Sequence, residues 1–154
     1  MERRTKVHAE DGKQELWIFR EFEIPVVSLY RAYVEPLIVE QWMGTKVLNL
    51  DNHALGSYRF ETTDPMGNKH LFTGCNHEMV PDRKITRTFK MENTPFPVQL
   101  EYLEFEALGD HRCKLSMQVI YKSVEVRDKV LKLPFIDGIN GAHDRLQQVV
   151  EKLE

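Results

Sequence analysis

The sequence predicts an α+β domain: a curved antiparallel sheet of about six strands wrapped round one long C-terminal helix, with two short helices after the first strand. Three observations carry this. Residues 134–153 place Phe135, Ile139, Ala142, Leu146, Val149, Val150 and Leu153 on one helical stripe, with Asp144, Arg145, Gln148, Glu151 and Lys152 opposite. From Lys46 to Tyr121 the hydrophobic period is two, and the punctuation is turn chemistry. Between the first strand and that region, two proline-led segments carry helical spacing.

Residues 1–15 hold eight charged side chains and no clean period, so they are expected to form a charged arm or a frayed strand, with the domain proper over 16–154. Leu16 to Ile24 reads as a strand that is apolar on both faces at its start: Ile18, Phe22 and Ile24 share one parity, Trp17 and Phe19 the other. Pro25 ends it and can open a helix through Val26, Val27, Tyr30, Tyr33 and Val34, because the N–H that proline lacks would have no intrahelical partner there. Pro36 restarts a second helix through Leu37, Ile38, Gln41 and Trp42, and Gly44 stops it.

Strands are then expected from Ser57, from Leu71 to Val80, over Ile85–Met91, over Val98–Phe105 and over Cys113–Tyr121. Asp64-Pro65-Met66-Gly67-Asn68, Pro81-Asp82, Asn93-Thr94-Pro95 and Gly109-Asp110 turn the chain between them. Val98, Leu100 and Tyr102 share a face. The apolar pair Tyr102-Leu103 interrupts the alternation, which predicts a bulge or a strand covered on both sides. Ser123 is placed to cap a short helix from Val124 to Leu131, and Leu133-Pro134 leads into the last helix.

At 154 residues the chain is long enough for a single sizeable core. A hydrophobic share of 42% with 29% charged residues argues against global disorder. The 21 Lys and Arg against 24 Asp and Glu leave a formal charge of -3, so no nucleic-acid partner is expected. No apolar run reaches the ~18 residues of a membrane span, and none follows the basic N-terminus as a signal peptide would, so a cytoplasmic protein is expected. Cys75 and Cys113 lie far apart and read as reduced thiols.

The last helix should cover the concave face and leave a space beneath its middle. His143 sits inside the apolar stripe with Asn140 on its flank. The pair reads either as the polar lining of a cavity, with His143 orienting a ligand or acting as a base, or as core-edge groups satisfied by a neighbour. Trp42 is a candidate for the cavity mouth. Phe60, Phe72, Phe89, Met91, Met117 and Ile139 are candidate walls, and Tyr102 and Tyr121 have hydroxyls to offer a ligand. No catalytic set, metal site or cofactor is expected. His77-Glu78 lacks the second histidine of a zinc-protease helix, His70 and His77 fall on opposite faces of a strand, and Glu104 and Glu106 read as a solvated face. No nucleophile elbow is present.

Six short motifs in order resemble the activator of heat-shock-protein-90 ATPase branch of the START-like (SRPBCC) superfamily. They are Arg20-Glu21-Phe22 before Pro25; Gln41-Trp42-Met43-Gly44; Gly56-Ser57-Tyr58-Arg59-Phe60; Phe72-Thr73-Gly74 through Glu78 to Pro81; Arg127-Asp128; and Gly138 with Arg145-Leu146. Leu55-Gly56 stands where the branch has Gly-Gly. The resemblance implies the helix-grip fold. It also implies binding of a hydrophobic small molecule between sheet and C-terminal helix, with two alternatives: a chaperone-cofactor or other protein-interaction module tied to the stress response, or a cyclase- or hydratase-type enzyme using His143 as base.

Overall fold

The computed structural model describes residues 4–153. Among them one antiparallel sheet of eight strands carries four helices, and the fold is the helix grip. The strands are β1 (Lys6–His8), β2 (Glu15–Phe22), β3 (Lys46–Leu50), β4 (Gly56–Thr63), β5 (Lys69–Val80), β6 (Lys84–Met91), β7 (Gln99–Gly109) and β8 (Arg112–Ile120), in the spatial order β1-β2-β8-β7-β6-β5-β4-β3. The helices are α1 (Val26–Val34), α2 (Pro36–Met43), α3 (Val124–Leu131) and α4 (Phe135–Leu153). The sheet has two more strands than the sequence pattern announced. Both are short edges: β1 pairs with β2 from within the charged segment, and β3 pairs with β4. A half-covered edge strand of a few residues does not develop a readable alternation.

The helix boundaries follow local chemistry. Pro25 is the N-cap of α1, and Pro36 occupies the first turn of α2. Gly44 closes α2 in the left-handed region at φ 62°, which a Cβ would disfavour. The Ser123 hydroxyl accepts from the Val126 N–H at 3.2 Å and caps α3.

Cross-strand partners share a face, so the register assigns the concave side. It holds Leu16, Ile18, Arg20 and Phe22 of β2, Cys113, Leu115, Met117 and Val119 of β8, and Glu101, Leu103 and Phe105 of β7. Ile85, Arg87, Phe89 and Met91 of β6, Phe72 and Gly74 of β5, and Tyr58 and Phe60 of β4 complete it. Tyr102 and Leu103 pair without a slip, so the bulge expected there is absent. The irregularities lie at Val47/Asn49, Asn76/Glu78 and Ala107/Gly109. Leu103 is buried inward and Tyr102 faces out, each on its own side of an unbroken strand.

The main core runs from Leu16, Ile18 and Phe22 through Leu103, Leu115 and Val119 to Leu146 and Val150 of α4. A second cluster of Val39, Tyr58 and Phe60 sits under α2. The two ends of α4 differ. His143, Leu146, Gln147 and Val150 are buried, whereas no residue from Phe135 to Ala142 is. The C-terminal half of the helix therefore packs tightly, Ile139 and Ala142 rest partly buried on the core, and room is left beside Phe135 and the α3–α4 turn. Leu153, the last of the expected stripe, is exposed.

Candidate functional site

That room is a cavity of about 240 Å³ at the N-terminal end of α4. Phe89 and Met91 of β6 and Gln99 of β7 come from the sheet, Tyr121 follows β8, and Phe96 and Pro97 come from the β6–β7 connection. Val130, Leu133 and Phe135 close it from α3 and the turn into α4. The walls are almost wholly apolar, and the polar groups are confined to Gln99 and Tyr121. The volume falls below the range of drug-sized sites, which run from about 300 Å³ upward, and so fits a smaller guest. Among the described residues no fully enclosed side-chain nitrogen or oxygen lacks a hydrogen-bond partner. The Tyr121 hydroxyl has no such partner among them and so opens onto reachable space. Burial, and then the nearby Glu101 charge, raise its pKa, which keeps it a protonated donor at neutral pH.

Behind the cavity lies a buried ion pair. Arg87 Nε donates to Glu101 Oε1 at 2.9 Å, and Gln99 Nε2 donates to Glu101 Oε2 at 2.7 Å. The Arg87 guanidinium rests 5.8 Å from the Tyr33 ring centroid and 5.5 Å from that of Tyr58. Burial alone would lower its pKa. The Glu101 carboxylate, through its charge and its hydrogen bond, together with the Tyr58 and Tyr33 hydroxyls outweighs that and raises it, so Arg87 stays protonated. Tyr58 lies across Gly74 and donates to the Thr88 carbonyl at 2.5 Å. A Cβ at Gly74 would stand 2.1 Å from that carbonyl oxygen and 2.4 Å from the Tyr58 ring, so only glycine lets the ring lie there.

Of the residues expected at a ligand site, the structure brings Phe89, Met91 and Tyr121 together in the cavity. Phe72 stacks on Phe89 at 5.4 Å behind the wall, and Phe60 packs beside it in the second cluster. Met117 and Ile139 belong to the main core. Trp42 is packing rather than a mouth: its indole N–H donates to the Ala32 carbonyl at 2.6 Å, and its ring meets Tyr33 edge-on. Tyr102 lies on the convex side at 39% exposure, because its parity on β7 is opposite to that of Leu103.

Asn140 and His143 face the N-terminal edge of the sheet instead of the cavity. His143 is 1% exposed, and its Nδ1 meets the Thr5 hydroxyl at 2.6 Å. Arg20 Nη1 donates to Thr5 Oγ1 at 3.4 Å and to Asn140 Oδ1 at 3.2 Å, and Arg20 Nη2 donates to Asp144 Oδ1 at 2.8 Å. The Thr5 hydroxyl and Nδ1 share this hydrogen bond, and the imidazole tautomer sets which of them donates. Burial, with Arg20 adding to it and Asp144 opposing, pulls the imidazole down to about 3. The structure thus places Asn140 and His143 in a network with Thr5 and Arg20, outside the lining of the cavity.

Sequence reasoning missed Phe96, Pro97, Gln99, Val130, Leu133 and Phe135 as walls, and the pair Arg87 and Glu101 behind them. The pair had a signal. Arg87 shares parity with Ile85 and Phe89, Glu101 shares parity with Leu103 and Phe105, and opposite charges on inward parities of successive strands are expected to meet. The walls had a weaker one, an apolar turn Pro95-Phe96-Pro97 where turns are usually polar.

Two comparisons give the chain its relatives. It is similar over 97% of its length to the whole of a protein from Rhodobacter sphaeroides, with a TM-score of 0.84 and 21% identity. A protein from Mycobacterium smegmatis matches with a TM-score of 0.82 and 22% identity over 94% of each chain. One from Arthrobacter aurescens matches at 0.86 and 15% over 96% of this chain and 91% of the other. At these identities the likeness shows the fold. No curated protein matches the chain. The model of one family, described as Activator of Hsp90 ATPase homolog 1-like protein, matches residues 23–151, from the end of β2 almost to the end of α4. With the helix-grip fold on either side of that match, the chain belongs to the Activator of Hsp90 ATPase homolog 1-like family.

Proposed function

We propose that the protein binds a hydrophobic small molecule in the cavity between the sheet and the turn from α3 into α4. The observation that carries this is the cavity itself: about 240 Å³ of apolar-walled space whose one hydroxyl, that of Tyr121, has no partner among the described residues. Leaving such a space costs packing energy, since lining atoms forfeit contacts they would otherwise make. An apolar guest restores them. The free thiols Cys75 and Cys113 fit a reducing compartment, and we place the protein in the cytoplasm on that ground. The chaperone-cofactor alternative rests on the family description, and the enzyme alternative would rest on His143, which is enclosed beside Thr5 and does not line the cavity.

The test is an amide NMR titration of the full chain with a panel of apolar molecules of six to ten carbons. Binding predicts shifts concentrated at Phe89, Met91, Phe96, Tyr121, Val130 and Leu133. A panel that leaves all of these unmoved would sink the proposal.

A further inference from the structure

Two polar groups in the cavity wall keep hydrogen-bonding capacity that the described residues do not use, and the two are complementary. Gln99 and Tyr121 both line the cavity. The β7–β8 register runs to Leu100 opposite Ile120, so Gln99 and Tyr121 stand side by side one step further, on the inward parity of Glu101 and Val119. Tyr121 is fixed from its other side: its backbone N–H donates to the Gln14 carbonyl at 2.9 Å, and its carbonyl accepts from Gln14 Nε2 at 3.1 Å. Gln99 is fixed through its amide nitrogen, which donates to Glu101 Oε2 at 2.7 Å. A carboxylate accepts only, so that nitrogen faces Glu101 and the amide oxygen is turned away from it. The oxygen has no hydrogen-bond partner among the described residues, and neither has the hydroxyl of Tyr121, a residue only 4% exposed. No fully enclosed side-chain oxygen among them lacks a partner, so both atoms open onto space that a water-sized group reaches. Burial, and then the Glu101 charge, raise the Tyr121 pKa, so the hydroxyl lies near the same carboxylate that holds the amide.

The amide oxygen can only accept, whereas the protonated tyrosine hydroxyl has a proton to give. One small group that both donates and accepts satisfies the pair at once. A ketone takes the tyrosine's proton but leaves the Gln99 oxygen without a donor, and an unmade hydrogen bond in an enclosed site is costly. A charged head of either sign would lose its water among apolar walls and find no free counter-charge, because Glu101 is already paired with Arg87. We propose that Gln99 and Tyr121 together form a receptor for a hydroxyl group and that the ligand is an uncharged apolar alcohol. Its O–H donates to Gln99 Oε1, and its oxygen accepts from the Tyr121 hydroxyl. The inference rests on the cavity reading above and names the class of molecule that the cavity takes.

The experiment titrates the full chain with 1-hexanol, 2-hexanone, hexanoate and hexylammonium, following the backbone amides of the cavity and the Gln99 side-chain amide by NMR. The alcohol should bind ~10-fold or more tightly than the ketone, because only the alcohol supplies the Gln99 oxygen with a donor. Both charged probes should bind more weakly than the alcohol. Two variants divide the site. Gln99→Met, in which Arg87 still pairs with Glu101, should bring alcohol and ketone to the same affinity. Tyr121→Phe should weaken both by about 2–10-fold and keep the alcohol ahead. The comparison of alcohol with ketone on the native protein stands whether or not either variant folds. Equal binding of the two by the native protein, tighter binding of a charged probe, an alcohol advantage that survives Gln99→Met, or affinities unmoved by Tyr121→Phe each overturns the hydroxyl receptor and leaves the cavity reading in place. Binding of none of the four at the cavity overturns the cavity reading, and this inference with it.

Discussion

Lowering the pH should loosen the protein through His143, and the size of the effect follows from its surroundings. The imidazole is 1% exposed, meets the Phe22 ring edge-on at 5.7 Å, and is hydrogen-bonded to Thr5. The charges facing it are Arg20 from β2 and Asp144 from its own helix. Its folded pKa is lowered from 6.5 to about 3, so between these values the unfolded chain holds a proton that the native one does not. Stability then rises with pH across this window and is lost as the pH falls below about 6.5, by up to ~1.4 kcal/mol per pH unit. Between about pH 6.5 and 4.5 the loss due to this one group is about 2 kcal/mol. Urea unfolding of the native protein and of His143→Gln across this range separates it from the carboxylates, which both proteins share. The native protein should lose stability relative to the variant by about that amount. A difference between the two that stays constant with pH would refute the account of a neutral, enclosed His143.

Four further outcomes are expected. Gly74→Ala forces a Cβ against the Thr88 carbonyl and the Tyr58 ring and should destabilise by about 1–3 kcal/mol in urea unfolding. Leu55 is held at φ 69° with its side chain exposed, so Leu55→Gly, which restores the family's Gly-Gly, should leave stability unchanged or raise it by up to about 1 kcal/mol in thermal melts. Glu101→Ala leaves the Arg87 charge without its partner and should cost about 3–5 kcal/mol, against far less when Arg87→Met accompanies Glu101→Leu. Arg127, 2% exposed, donates to the Glu10 carbonyl at 2.6 Å and the Glu15 carbonyl at 3.2 Å; Arg127→Met should cost about 2 kcal/mol and speed amide exchange at residues 9–15.

The elements with their own local grammar were legible from sequence. Pro25, Pro36, Gly44 and Ser123 mark helix ends by chemistry that needs no tertiary partner, and the structure uses all four. The polarity of α4 was legible too, because 3.6-residue periodicity survives in a helix whose outer face is charged. What the pattern could not say is which sheet face a strand presents inward. Tyr102 and Leu103 are both apolar, and the choice between them is made by the register with β6 and β8. Nor could it say what the polar pair in α4 meets. Asn140 and His143 were seen to point inward, but their partners Thr5 and Arg20 come from the other end of the chain, more than a hundred residues away. The cavity itself depends on how far the α3–α4 turn stands from the sheet, a distance no local motif encodes.

The account depends on space existing between the sheet and the turn from α3 into α4, and xenon tests this without presuming a ligand. Apolar cavities of this order take up xenon. Crystals of the protein pressurised with the gas should show xenon between Phe89, Met91, Val130, Leu133 and Phe135. The same site filled by the side chains of Phe96 and Phe135, with no xenon density, would contradict the claim on which the binding function rests.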